Sequence, residues 1–148
     1  MKVAILIGSP NDGDKMSPAL EVLEELGIEA ESTVLSAHRN PEAVADFARK
    51  ARAGGYAAVI CGAGMAAHLA GAVAANTTLP VVGVPLSGGA LNGVDALYAT
   101  VQMPRGIPVA TVAIDGAANA ALLVAEMLAI TDSGLAEVLD ERRRQGKR

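Results

Sequence analysis

SAHRNP, residues 36–41, sets one of the chain's two histidines beside an arginine. Arg39 carries its charge at every physiological pH and can grip a phosphate through two parallel N–H donors. His38 can take up and release a proton near neutrality, which suits a group acting as acid and base in one cycle. Ser36 adds a hydroxyl. The pair reads either as an incidental solvated loop or as the charged centre of a site, where the three together would suit proton transfer on a small phosphorylated ligand. GSPND, residues 8–12, offers Ser9, Asn11 and Asp12 at a second turn. It reads either as an anion cradle of main-chain N–H groups with Ser9 donating, or as ordinary capping of the next helix by Asn11 or Asp12. Asp12 would repel a phosphate and suits sugar hydroxyls.

A third stretch, CGAGMAAHLAG at residues 61–71, matches Gly-x-Gly-x-x-Ala from Gly62 to Ala67. A dinucleotide fingerprint belongs after a first strand and needs an acid about twenty residues on; here VVGVPLSGG occupies that place. The better reading is a wall of main-chain amides and methyl groups, with Ala63 and Gly64, which lets a flat ligand approach. His68 stands either as a second functional histidine or as a satisfied core residue among alanines. Two histidines alone make no zinc site, and Cys61 in the apolar run AAVIC reads as a buried, inert thiol. No Walker-type Gly-x4-Gly-Lys-Ser/Thr occurs, which argues against ATP use.

Residues 3–8, 31–35, 57–61, 80–85 and 108–114 read as strands, several of them apolar runs suited to burial on both faces. Helical segments separate them. The clearest follows an Asn40 N-cap and Pro41, with Val44, Phe47, Ala48 and Ala51 on one face. Alternation of this kind predicts an α/β fold, a flavodoxin-like three-layer sandwich with a parallel five-stranded sheet plus a C-terminal helix, in one domain over residues 1–148. Ligands bind such sheets outside the carboxyl ends of the strands, where all three polar turns fall. AANAALLVAEMLAI, 117–130, is apolar nearly all round, which predicts a homo-oligomer that buries it between subunits.

Composition sets outer limits. The net charge of −4 and pI near 5.1 argue against a nucleic-acid partner. The basic end RRRQGKR reads as a solvated helix terminus. One cysteine permits no internal disulfide, and the apolar start is too short for a signal peptide, so a cytoplasmic protein with no membrane span is expected. Only three aromatics (Phe47, Tyr56 and Tyr98) disfavour a flavin-carrying electron protein.

With these turns in view, the sequence resembles the PurE family, class I, through VAILIGS, SAHRNP, GAGMAAHL, LPVVGVP, VQMPRGIPVATVAI and AANAALL. The resemblance implies an octameric mutase that interconverts N5-carboxyaminoimidazole ribonucleotide and 4-carboxy-5-aminoimidazole ribonucleotide in purine synthesis, without metal or cofactor. It implies phosphate contacts at Ser9, Ser36 and Arg39, with Asn11 still able to donate beside them. It gives Asp12 to the ribose, and Ala63, Gly64 and Leu69 to the rest of the substrate. His38 becomes the proton carrier, with His68 near the carboxylate. The chain departs from the family pattern with Asn11 for Ser, Gly13 for Trp, Met65 for Gly, Ala70 for Pro, and Gly88 and Ala96 for Ser; Met65 is expected to narrow the pocket. Rival readings are the class II relative, which carboxylates aminoimidazole ribonucleotide with CO2 and carries Lys where Arg39 stands, and a non-catalytic nucleotide-binding module on the same fold.

Overall fold

After Lys2 the run KVAILI has no side chain that needs water, and in the computed structural model, which describes residues 2–147, it becomes β1 (Lys2–Ile7), buried from Val3 onward. A one-turn 3-10 helix (Pro10–Asp12) leads into α1 (Gly13–Glu25), then β2 (Glu29–Val34) and α2 (Pro41–Ala51). β3 (Tyr56–Gly64), α3 (Leu69–Ala74), β4 (Val81–Leu86) and α4 (Val94–Val101) follow. The chain closes with β5 (Ala110–Thr111), α5 (Ala117–Ala129) and α6 (Ser133–Arg144). All pairings are parallel and the order is β2-β1-β3-β4-β5, the flavodoxin-like arrangement the alternation predicts.

Alternate residues of β1 face two cores. Val3, Ile5 and Ile7 pack against α1, α5 and Leu135 of α6. Ala4 and Leu6 pack against α2 and α3. Gly83 is where the second layer comes closest: a Cβ there would lie 2.3 Å from Thr100 Cγ2 of α4. Thr100 is buried, and its hydroxyl donates to the Ala96 carbonyl at 2.7 Å, so the helix can bring a polar side chain against the sheet.

Within the chain, α1, α6 and the sheet bury Ala117, Ala120, Ala121, Val124 and Ala125 of α5, while Leu122, Leu123, Met127 and Leu128 are half-buried and Ile130, at its C-cap, is exposed. A second exposed apolar stripe runs from Leu91, in the turn before α4, through Val94, Tyr98 and Val101 of that helix. The fifth strand is two residues rather than seven, since Pro108 has no N–H to give and pairing is confined to Val82 with Ala110 and Gly83 with Thr111. The third strand runs on through Gly64, so the glycines of CGAG are strand, and only Met65–His68 turn. Asn40 holds the N-cap position of α2 without a side-chain capping bond. No helix among the described residues is long and apolar enough to cross a membrane.

Candidate active site

The strand order reverses between β1 and β3, and a cleft of about 350 Å³ opens there at their carboxyl ends. The described residues of all three polar turns line it: Ser9, Asn11 and Asp12 from the first, Ser36, His38 and Arg39 from the second, Ala63, Gly64, His68 and Leu69 from the third. A larger groove of about 840 Å³ lies at the opposite end of the sheet, around Thr77–Val81 and Gly106–Pro108. Its one charged side chain is Arg49 and it holds no histidine, so the chemistry-bearing groups belong to the smaller cleft.

Local bonds explain the loops. Gly8 N–H donates to the Gly62 carbonyl at 2.9 Å, which draws the first turn against β3 and leaves main chain as the cleft's floor. Ser9 Oγ accepts from the Asn11 N–H at 3.3 Å and caps the 3-10 turn, while Asp12 leads α1 with no side-chain cap. Capping therefore falls to Ser9 rather than to Asn11 or Asp12. A hydroxyl that accepts still has its own proton to give. In the second loop, Ser36 Oγ accepts from the Arg39 N–H at 3.2 Å and the Ser36 carbonyl from the Asn40 N–H at 2.8 Å. These bonds fold SAHRN into a turn whose His38 and Arg39 side chains stay exposed.

The two histidines meet. Their ring centroids are 5.4 Å apart and the planes cross at 62°, edge to face. His68 is exposed at the N-cap of α3, so it is no core residue. Leu69 differs: its side chain is 1% exposed and belongs to the core, so what it offers the cleft is main chain. Met65 has φ of +51°, in the left-handed region where glycine is least strained. Its exposed side chain leans against Gly89 and forms part of the cleft's rim.

Burial pushes the Asp12 carboxyl above its ordinary value; Asp115 nearby adds to this, and Lys15 opposes it. Burial also drives the Cys61 thiol upward, out of any nucleophilic range at neutral pH. Among the described residues, no three His, Cys, Asp or Glu side chains cluster to hold a metal ion.

Sequence reasoning missed the fourth wall. Ser87, Gly88 and Gly89, just past β4, also line the cleft. Ser87 N–H donates to Asp115 Oδ1 at 2.8 Å, and its hydroxyl donates to Asp115 Oδ2. Lys15 Nζ in turn donates to Ser87 Oγ at 2.9 Å and to the Ser87 carbonyl. The rule that drew attention to the first three strand ends applies equally to LSGG, which was a usable signal. Lys15 and Asp115 gave none, since they lie 72 and 28 residues from Ser87.

The model of the family described as AIR carboxylase matches residues 2–148. The chain belongs to the AIR carboxylase family. It is 50% identical over 147 residues to the N5-carboxyaminoimidazole ribonucleotide mutase of Bacillus subtilis, covering 98% of this chain and 91% of the relative. The mutase of Escherichia coli K12 is also 50% identical, with 97% and 86% covered, and that of Saccharolobus solfataricus is 52% identical, with 92% and 86%. Among solved structures, Treponema denticola PurE superposes with a TM-score of 0.88 at 28% identity, over 97% of this chain and 90% of that one. This AIR carboxylase family member therefore aligns over most of its own length, and most of theirs, with proteins named N5-carboxyaminoimidazole ribonucleotide mutase.

Proposed function

We propose that this chain is an isomerase of purine biosynthesis, a class I mutase that interconverts N5-carboxyaminoimidazole ribonucleotide and 4-carboxy-5-aminoimidazole ribonucleotide without metal or cofactor. The observation that carries the reading is the His38–His68 pair at the β1/β3 switch point, with Arg39 beside it, in a family whose near relatives are named as mutases.

The substrate's phosphate takes the charge of Arg39 and the donors of Ser9, Ser36 and Asn11. Asp12, where a phosphate would be repelled, accepts from ribose hydroxyls. The ring lies on main chain at Ala63, Gly64 and Leu69, and His68 stands near the carboxylate. Protonated His38 gives its proton to the substituent nitrogen as the carbamate N–C bond breaks, and that bond's electrons stay on nitrogen. CO2 is released into the cleft. C4, now flanked by a free amine, attacks the CO2 carbon and forms the new C–C bond. His38, left neutral, removes the C4 proton, which restores the aromatic ring and recharges the imidazole. One group in both roles needs a proton affinity near the working pH, which imidazole has. Holding CO2 beside C4 makes recapture a matter of proximity.

The same reading takes the protein as cytoplasmic and as a homo-octamer. The exposed stripe Leu91, Val94, Tyr98 and Val101 supports association between copies. The test is an isomerase assay on purified protein, followed by ultraviolet absorbance, with no ATP, metal or bicarbonate added. Interconversion is expected; activity only on aminoimidazole ribonucleotide with bicarbonate present would mean the class II reaction, and binding without turnover a nucleotide-binding module.

A further inference from the structure

Ser87 lines the cleft but has nothing left to give a ligand. Its N–H and its hydroxyl proton both go to Asp115, and its carbonyl and hydroxyl oxygens both accept from Lys15. The residues after it are Gly88, at φ +144°, and Gly89, at φ +62°, conformations that glycine adopts at least cost and that a glycine pair also leaves readily. The wall they form is therefore fixed from its Ser87 end. Asp115, which fixes it, is itself held at φ +57°, a strained value for a residue with a side chain. Its own N–H donates to the Pro85 carbonyl at 2.9 Å, and its carboxylate is bound by Ser87. Burial would raise that carboxyl; the Ser87 bonds and the Lys15 charge outweigh this and hold it below its ordinary value.

Lys15 is the cation that joins these parts. It stands in the first turn of α1, three residues after Asp12, and reaches across to the loop after β4. One ammonium group thereby ties the turn after β1 to the loop after β4, and through Ser87 to the turn before α5.

We propose that Lys15 is a positioning residue for the ribonucleotide: with Asp115 it locks the Ser87–Gly89 wall at the cleft, so that the wall is already ordered when the ligand arrives. The proposal rests on reading the cleft as the ribonucleotide site. An ordered wall lowers the entropy lost on binding by similar amounts in ground state and transition state. Its removal therefore falls on KM and spares kcat.

The test compares wild type, Lys15→Met and Lys15→Arg in two measurements. In mutase kinetics, Lys15→Met is expected to raise KM about tenfold with kcat within about threefold, and Lys15→Arg to return KM most of the way. In amide hydrogen exchange, Ser87–Gly89 of Lys15→Met should exchange about tenfold faster while β3 is unchanged. A wild-type KM in Lys15→Met, or loop exchange equal to wild type, overturns the proposal; so does a fall in kcat equal to the rise in KM. If wild type itself fails to turn over, the functional reading falls, and loop exchange alone decides whether Lys15 orders the wall. Should Lys15→Met not fold, Asp115→Asn is read in the same assays, and unchanged loop exchange there is equally fatal.

Discussion

His38 and His68 stand edge to face, yet the chemistry asks different things of them. Proton delivery and removal need one group at the reacting nitrogen and carbon, so His38→Asn should cut kcat by about 10²- to 10⁴-fold while calorimetric affinity for the ribonucleotide is kept. Near-normal turnover in that variant would remove His38 from the mechanism. Asp12 illustrates a conflict between folding and binding. Its folded carboxyl is raised by burial, so folding favours the protonated form; the stabilising contribution is present below the ordinary carboxylate value and is lost as pH rises through the raised one. Asp12→Asn should therefore unfold at a higher temperature than wild type at neutral pH and yet bind the ribonucleotide less tightly. Affinity of the wild type should weaken as acid protonates Asp12, and the variant should lack that limb. At this scale the sequence was informative about chemistry that residue type permits: His38 and Arg39 offer a proton carrier and an anion donor, and the fold sets both at one cleft. It was silent on Lys15 and Asp115, whose meaning comes only from meeting Ser87 across three loops.

The elements were legible where burial on both faces leaves an unbroken apolar run, as in β1 and β4. They were less so where local signals compete. β5 reads as a long strand by its valines, but it lies at the sheet edge behind a proline and pairs through only two residues. α5 reads as apolar all round, and its composition does not say which of its residues α1 and α6 cover within the chain. Gly83 makes the same point about contact. Gly83→Ala puts a methyl 2.3 Å from a buried, β-branched Thr100 and 3.1 Å from Cγ1 of the half-buried Val109. A loss of about 1–3 kcal/mol in denaturant unfolding is expected, with the cleft's residues unaltered. α6 docks more lightly. Glu25 accepts from Arg142 at 2.5 Å and from Lys147 at 3.1 Å, and those bonds hold its carboxyl below the usual range. Their contribution is present above the ordinary Glu value and is lost as pH falls through the lowered one. Glu25→Gln should lower the melting temperature slightly at neutral pH in low salt, and the difference should vanish in high salt.

For the whole molecule, the overall negative charge and the basic end that once looked separate prove to be one arrangement. Arg142, Arg143, Arg144 and Lys147 pair with three glutamates of the same chain, Glu25 taking two of them, so much of their positive charge is offset locally. The proposed assembly has its interface on the stripe along α4. Tyr98→Glu, on a side chain 62% exposed, should lower the sedimenting mass in analytical ultracentrifugation without lowering the helix content seen by circular dichroism. An unchanged mass would exclude that stripe as an interface. The chain-wide pattern predicted the sandwich, because strand order follows from alternation and handedness, whereas an interface depends on which helix the fold leaves bare.

The cleft's floor is main chain contributed by Gly8 and the Ala63–Gly64 strand end. Such a surface has nothing to delete: every replacement of its glycines adds matter. A methyl at Gly64 would sit 3.4 Å from the Leu86 carbonyl, which the fold accommodates, so any harm would come from obstructing the guest rather than from unfolding the host. Inherited change should thus act in two ways in this enzyme, as blockage when it strikes below the ligand and as retuning when it strikes the loops above.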